Sequence, residues 1–77
     1  MKLTIKYFGL LAELTQCNEE EIEFSGANVS DLKDVLFQKY EALKIKDFQV
    51  AQNNELTTNK TTVTATEIAL LPPFAGG

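Results

Sequence analysis

The sequence contains no histidine, and its seven basic residues are all lysines, so it contains no arginine. Without histidine the chain lacks Ser-His and Cys-His nucleophile pairs, the commonest acid/base group at neutral pH, and imidazole ligands for a metal. With 11 acidic residues the net charge is −4. No basic stripe is available for phosphates, which argues against nucleic-acid binding and favours a positively charged protein partner.

Cysteine and long apolar runs are also scarce. The single cysteine, Cys17, cannot form an intramolecular disulfide, and with no histidine or arginine to activate its thiol we expect a structural or incidental role. No apolar run approaches the roughly 20 residues that span a bilayer, and the first residues alternate polar and apolar rather than forming a signal-peptide core. We therefore expect a cytoplasmic protein without a membrane partner.

What is present fits one small folded domain. The chain has 77 residues, of which 44% are hydrophobic and 23% charged, as is typical of globular proteins. Alternation of apolar and polar residues predicts three strands, and a nearly continuous apolar run predicts a fourth, central one. These strands are expected at residues 2–8, 21–24, 48–52 and 67–71. A short helical turn is expected at residues 10–15, and a short edge strand with loops at residues 55–66.

One long helix is predicted at residues 31–43, with Ser30 as its N-cap. Its apolar stripe recurs at three- and four-residue steps and comprises Leu32, Val35, Leu36, Tyr40 and Leu43. If the first and last strands lie side by side in a mixed sheet and the helix crosses one face, every apolar stripe is buried. The predicted fold is α+β, with residues 1–71 as a single domain and residues 72–77 as an extended C-terminal tail.

Two further patterns within the folded part give no catalytic site. Glu19, Glu20 and Glu21 could be read as a divalent-cation site, but consecutive residues of an extended chain point to opposite faces. A solvated turn is the favoured interpretation, and no metal site is predicted. The sequence also lacks a glycine loop that could cradle phosphates.

The last eight residues, LLPPFAGG, differ from the rest of the chain. Pro72 and Pro73 cannot continue a central ladder, so the chain should leave the sheet extended after Leu71 and reach up to about 20 Å. Gly76 and Gly77 carry no side chains and could present a bare carboxylate through a narrow channel. Such a carboxylate reacts only after activation, normally adenylation, for which a partner must supply the ATP site. The alternative is a frayed terminus, which the apolar residues of the tail make less attractive.

The opening MKLTIKYFGLLAEL, residues 50–53 and the closing EIALLPPFAGG closely resemble the small subunit of molybdopterin synthase, a ubiquitin-like sulfur carrier of β-grasp fold. The likeness covers the whole chain, and the closing motif is far more specific than a bare Gly-Gly. Two departures concern turns or strand ends. Ala65-Thr66 replaces the usual Gly-Asp, and Gln52-Asn53 replaces the usual Val-Asn.

The resemblance implies a carrier that is a non-catalytic subunit of a sulfurtransferase. A ubiquitin-activating-type enzyme would adenylate Gly77 with ATP, and a sulfur source would convert it to a thiocarboxylate. The carrier would then dock on the large synthase subunit, in a heterotetramer, and pass sulfur to cyclic pyranopterin monophosphate. The carrier itself would bind no cofactor, and the catalytic side chains would belong to its partners.

By position, the resemblance implies that Gly77 holds the sulfur and that Gly76 lines the partner's channel. It gives a threading segment, Pro72, Pro73, Phe74 and Ala75, and apolar contacts at Phe8 and Leu71, with Leu56 as a further candidate. For Phe8 the alternative is core packing, although it breaks from the face that the strand before it presents to the core. Three other functions stay open: a carrier for thiazole or tRNA thiolation, a ubiquitin-like modifier, and a plain interaction domain.

Overall fold

The computed structural model describes residues 1–73, in which five strands form one sheet with two α-helices and one 3₁₀ helix. The strands are β1 (Lys2–Tyr7), β2 (Glu19–Glu23), β3 (Gln49–Gln52), β4 (Glu55–Leu56) and β5 (Glu67–Leu71). The helices are α1 (Leu10–Thr15), α2 (Val29–Lys39) and the 3₁₀ helix Glu41–Ile45. All the elements predicted from the sequence are therefore found in the expected order.

The sheet has the strand order β2-β1-β5-β3-β4, so the first and last strands lie side by side at its centre. Strands β1 and β5 run parallel, with Thr4 opposite Glu67 and Tyr7 opposite Leu70, while the other neighbouring strands are antiparallel. This confirms the predicted mixed sheet. The parallel pair brings the start of α1 next to the point where the chain leaves β5.

One face of the sheet forms the hydrophobic core. Alternation along β1 directs Leu3, Ile5 and Tyr7 inward, as the sequence predicts. Helix α2 contributes its buried residues Val29, Leu32 and Leu36 to the same cluster. The remaining members are Leu11, Ile22, Phe24, Leu43, Val50, Val63, Ile68 and Leu70. The long helix and the sheet thus share one core, in the predicted α+β arrangement.

The boundaries of the long helix differ from the prediction. Helix α2 begins at Val29 because Asn28, and not Ser30, is the N-cap. The Asn28 side chain accepts a hydrogen bond from the Asp31 amide at 3.0 Å, and the Asp31 carboxylate accepts one from the Asn28 amide at 3.2 Å. Such a capping box needs an acceptor three residues after the cap, and Ser30 is followed there by Lys33. Leu43 is buried as predicted, but it lies in the 3₁₀ helix.

The interpretation of the glutamate triplet as a turn is wrong. Glu19, Glu20 and Glu21 form the first part of β2 and pair with β1, Glu20 lying opposite Ile5. The backbone pairing with β1 overrides the low strand propensity of consecutive glutamates. Smaller corrections are that β1 ends at Tyr7 and that β3 begins at Gln49.

Candidate functional site on the open sheet face and the tail root

The face of the sheet opposite the core carries a patch of apolar side chains. Ala51 lies opposite Ala69 in the β3–β5 pair and opposite Leu56 in the β3–β4 pair. Alternation directs Leu71 to the same side, since its neighbour Leu70 is fully buried in the core. Together these residues and Phe8 line a shallow depression that we call the open face: Phe8, Ala51, Leu56, Ala69 and Leu71.

Phe8 owes its position to the junction between β1 and α1. Its backbone N–H donates to the Leu70 carbonyl at 3.1 Å, which extends the parallel pairing by one residue beyond β1. Its carbonyl accepts from the Leu11 amide at 3.2 Å and so begins the helical turn. The side chain is 45% exposed, and that of Leu56 is 61% exposed. The prediction that Phe8 lies at the surface and outside the core is confirmed.

Polar residues surround the open face. The same depression is bordered by Asn53, Asn54, Thr64, Thr66 and Glu67. Asn53 and Asn54 have positive φ angles of 54° and 64°, which confirms the turn predicted between β3 and β4. Glu67 pairs with Lys6 at 3.3 Å. An apolar centre with a polar rim is the usual anatomy of a protein–protein interface.

The tail begins at one edge of the open face, at Leu71 and Pro72, which we call the tail root. Strand β5 ends at Leu71, and Pro72 follows it outside the sheet, as the sequence predicts. Pro72 is half-buried beside Gly9, while Pro73 is exposed. The structure thus brings Phe8, Leu71 and Pro72 to one place. The other predicted tail residues, Phe74, Ala75, Gly76 and Gly77, lie outside the described residues, and their roles remain predictions.

A cluster of polar and charged side chains surrounds Glu20 on the core side of β2. Glu20, whose side chain is 16% exposed, accepts hydrogen bonds from Tyr7 at 2.7 Å, from Tyr40 and from Lys39. Partial burial opposes ionisation of Glu20, but these donors outweigh it and lower the pKa of the carboxyl group. Burial and the Glu20 carboxylate raise the pKa of both tyrosines. These hydrogen bonds link the end of α2 to β2. Because both carboxylate oxygens of Glu20 already accept hydrogen bonds, Glu20 is a poor candidate for a catalytic base.

The described part of the chain has neither a cluster of metal-ligating side chains nor a membrane-spanning helix. Among residues 1–73, no group of three or more His, Cys, Asp or Glu side chains is arranged to hold a metal ion. Over the same residues, no helix combines the length and apolar character needed to cross a membrane.

Sequence reasoning missed part of this site. Ala51 and Ala69 are small and give no strong periodic signal, although the alternation of β5 with Ile68 and Leu70 inward would have indicated Ala69. In the sequence, Gly9 indicates only that the alternating pattern of the first strand ends there. Its contact with Pro72 arises from the parallel pairing of β1 with β5, which joins residues more than sixty positions apart in the sequence.

The chain is similar to known proteins over almost its whole length. The model of the ThiS family matches residues 5–77. A Pyrococcus furiosus protein described as molybdopterin converting factor subunit 1 is 26% identical, with a TM-score of 0.87 over 96% of this chain and 99% of that one. SAMP1 of Haloferax volcanii, a small archaeal modifier protein, is 26% identical with a TM-score of 0.80 over 100% of both chains.

A third similar structure comes from a complex. It is a chain of the assembly of subunits 1 and 2 of the molybdopterin-converting factor of Helicobacter pylori, 26% identical, with a TM-score of 0.67 over 100% of both chains. These similarities confirm the predicted ubiquitin-like β-grasp fold. They include proteins named as subunits of a molybdopterin-converting factor and a protein named as a modifier.

Proposed function

Since the chain belongs to the ThiS family, we propose that it is a ubiquitin-like sulfur carrier that acts as the small subunit of molybdopterin synthase, with the sulfur carried on Gly77. The observation that carries this proposal is the position of the tail root. Strand β5 leads to Leu71 and Pro72 at the edge of an exposed apolar face, and the sequence Phe-Ala-Gly-Gly follows after Pro73. The similarity to converting factor subunit 1 favours molybdopterin as the product.

The proposed chemistry takes place at the carboxylate of Gly77. One carboxylate oxygen attacks the α-phosphorus of ATP on an activating partner, and pyrophosphate leaves, which gives an acyl adenylate. A hydrosulfide equivalent from a sulfur donor then attacks the acyl carbon and displaces AMP, which takes the oxygen with it. The thiocarboxylate sulfur attacks an acceptor carbon of cyclic pyranopterin monophosphate on the large subunit. The oxygen substituent of that carbon leaves and is protonated by the partner, which gives a thioester between the chain and the pterin. Attack by water on the acyl carbon finally releases the sulfur to the acceptor and restores the carboxylate.

The residues of this chain bind and deliver the terminus. The open face docks on the large subunit, with Phe8 and Leu71 as central apolar contacts and Leu56 at the periphery. The H. pylori complex of subunits 1 and 2 supports a partner of this kind. The net charge of −4 favours a basic docking surface on the partner. Gly76 and Gly77, which lack side chains, then suit a channel too narrow for a Cβ atom.

The absence of histidine from the whole sequence agrees with a division of labour between carrier and partner. Adenylation, sulfur insertion and transfer each need proton transfer near neutral pH, for which histidine is the commonest side chain. Glu20, the carboxylate with the most donors around it, lies on the core side of the sheet and away from the open face. The catalytic acids and bases are therefore proposed to belong to the activating enzyme and the large subunit.

Intact-mass measurement tests the proposal. The chain, ending at Gly77, is co-expressed with a ubiquitin-activating-type enzyme and a sulfur donor, and its mass should rise by the difference between one sulfur and one oxygen. Two matched controls should not gain sulfur: a chain that lacks Gly77, and a chain extended by one serine after Gly77. Persistent absence of the heavier species, or its presence in both controls, contradicts a thiocarboxylate on Gly77.

The similarity to the Haloferax modifier protein favours a second candidate, a ubiquitin-like modifier. The same adenylate would then be attacked by a lysine amine, AMP would leave, and an isopeptide bond would form. Digestion of cell extracts and peptide mass analysis distinguish the two. Lysine residues that carry the C-terminal peptide of this chain support the modifier, whereas sulfur on a pterin, a thiazole or a tRNA identifies the acceptor of a carrier.

A further inference from the structure

Gly9 has a backbone conformation that L-amino acids rarely adopt. Its φ of 59° and ψ of −134° lie outside the allowed regions for residues with a Cβ atom, and glycine alone enters this region without strain. Strained or glycine-dependent positions are often retained where the surrounding structure uses them. In this chain the position is the junction between β1 and α1.

Hydrogen bonds on both sides hold Gly9 in place. The preceding Phe8 donates to Leu70 of β5 at 3.1 Å, and the Gly9 carbonyl accepts from the Ala12 amide in α1 at 3.1 Å. The carbonyl of Phe8 also accepts from Leu11 at 3.2 Å. A change of the backbone at Gly9 would therefore break either the pairing with β5 or the first turn of α1.

The missing side chain of Gly9 leaves space for the tail root. A Cβ atom built on Gly9 would lie 3.0 Å from Cγ and 3.9 Å from Cδ of Pro72. The shorter distance is tighter than an ordinary contact between carbon atoms, which is about 3.5–4.0 Å. The Pro72 ring thus packs on the bare Cα of Gly9, and a methyl group there would have to displace the ring.

We propose that Gly9 is a positioning residue for sulfur transfer, because its bare backbone is the seat for the Pro72 ring and this contact sets the direction in which the tail leaves β5. The inference rests on the proposed function, in which Gly77 must enter the active site of a partner. The proline ring also fixes φ of Pro72, the first residue of the tail, so the direction set by the contact with Gly9 continues into the next residue.

The length of the tail makes this direction important. If the six residues from Pro72 to Gly77 enter a partner extended, they reach up to about 20 Å, so an error of about 10° at the tail root displaces the far end by about 3.5 Å. A misplacement of about 1 Å at the reacting atoms can lower a rate by about a hundredfold. A partner channel that holds the last residues corrects part of such an error, so we expect a loss of at least about tenfold.

The first test compares Gly9→Ala with the native chain, both prepared with a thiocarboxylate at Gly77 by ligation. The measurements are the dissociation constant for the large subunit and the single-turnover rate of sulfur transfer at saturating large subunit. Because no side chain of the open face is replaced, the dissociation constant should stay within about threefold, while the rate should fall by about tenfold or more. An unchanged rate overturns the proposal.

A matched control separates positioning from stability. Val29→Ala removes buried apolar atoms from α2 and should lower the stability without touching the tail root. At a temperature where both variants are folded, Val29→Ala should transfer sulfur at the native rate. If the two variants lose the same fraction of the rate, Gly9 acts only through stability and the proposal is wrong.

Two further variants keep the proposal testable if Gly9→Ala does not fold. Replacement of Gly9 by D-alanine in a synthetic chain fits positive φ, because its preferred angles mirror those of an L-residue, and its methyl group takes the other hydrogen position. This chain should transfer at nearly the native rate. Pro72→Gly removes the ring, leaves Gly9 unchanged and should lower the rate of sulfur transfer by about tenfold or more. A native rate would contradict a positioning role for the contact between Gly9 and Pro72.

A measurement that needs no partner distinguishes failure of the seat from failure of the proposed function. Nuclear Overhauser contacts between the Gly9 α-protons and the Pro72 ring protons should be present in the native chain and absent in Pro72→Gly. If these contacts are absent from the native chain, the Pro72 ring does not pack on Gly9, and the proposal is wrong regardless of the outcome of the sulfur-transfer assays. If the contacts are present but the native thiocarboxylate transfers no sulfur to any acceptor, the proposed function fails, and with it the role of the seat in transfer.

Discussion

The two faces of the sheet are built from alternate residues of the same strands, yet they differ in nearly every property. On the core face Ile68 and Leu70 of β5 are fully buried, with α2 packed in the same cluster. On the open face their neighbours Ala69 and Leu71 are only half-buried, and Phe8 beside them is 45% exposed. An uncovered apolar patch with a polar rim favours association with another protein.

This difference indicates a separation of tasks. The core face holds most of the free energy of folding, while in the proposed function the open face and the tail root serve binding and delivery. Substitutions on one face should therefore alter the stability and leave partner binding nearly intact, and substitutions on the other face should do the reverse.

The largest effect is expected in the core. Leu36 of α2 is fully buried, and Leu36→Ala should lower the free energy of unfolding by about 2–5 kcal/mol. Leu56→Ala makes the same chemical change on the open face, where the side chain is 61% exposed, and should cost less than about 1 kcal/mol. Urea unfolding of both variants measures the difference. Equal losses would mean that the open face carries as much stability as the core.

The next effect concerns the polar cluster on the core side. Glu20→Gln weakens the hydrogen bonds from Tyr7, Tyr40 and Lys39 and should lower the free energy of unfolding by about 2 kcal/mol at pH 7. Glu21→Gln, one residue further along β2 and exposed, is the matched control and should change little.

The pH dependence of the stability difference between the native chain and Glu20→Gln gives a second readout. Because the pKa of Glu20 is lower in the folded state, its contribution is present above the ordinary carboxyl pKa and is lost as the pH falls through the lowered folded value. The difference between the native chain and Glu20→Gln should therefore shrink in acid. A difference that is constant with pH, measured by urea unfolding, contradicts an ionised Glu20 in the folded state.

On the open face the main effect should be on binding. Phe8→Ala should weaken binding to the large subunit about tenfold, or about 1.4 kcal/mol, since a central aromatic contact is lost. Ile45→Ala is the control, because Ile45 is 82% exposed in the 3₁₀ helix and lies outside the open face. Calorimetric titration should show no change for it. Similar losses for both variants would remove the open face from the interface.

The smallest effect is expected at the edge of the open face. Leu56 lies in the two-residue strand β4, beside the solvent-exposed rim. Leu56→Ala should weaken partner binding by less than about threefold, because peripheral contacts contribute little once the centre is formed. A loss larger than that of Phe8→Ala, in the same titration, would move the centre of the interface from Phe8 towards β4.

Much of the fold could be predicted from the sequence. The alternation in β1, the continuous apolar run of β5 and the three- and four-residue spacing in α2 each predict an element, and burial of their apolar stripes predicts the central pair of strands. The ends of elements were less predictable. Ser30 and Asn28 are both good caps, and the choice depended on the acceptor three residues later.

Contacts between distant residues could not be predicted. The hydrogen-bond partners of Glu20 are 13, 19 and 20 residues away in the sequence, so the first residues of β2 have only the local pattern of a polar turn. The seat of Pro72 on Gly9 likewise exists only because β1 and β5 are parallel neighbours. Of the candidate site, Phe8 and Leu71 followed from a resemblance and the tail from its prolines and glycines, while Gly9 and Ala51 required the three-dimensional structure.

In the proposed function the folded body is a scaffold and the carboxyl terminus performs the chemistry. Transfer of radiolabelled sulfur distinguishes this arrangement from every other. The chain is prepared with the label in the thiocarboxylate of Gly77 and is mixed with the large subunit and cyclic pyranopterin monophosphate. The label should appear in the dithiolene of the pterin product as the chain returns to its carboxylate mass. A sulfur-containing product without the label, or a label that stays on the chain while product forms, would contradict it.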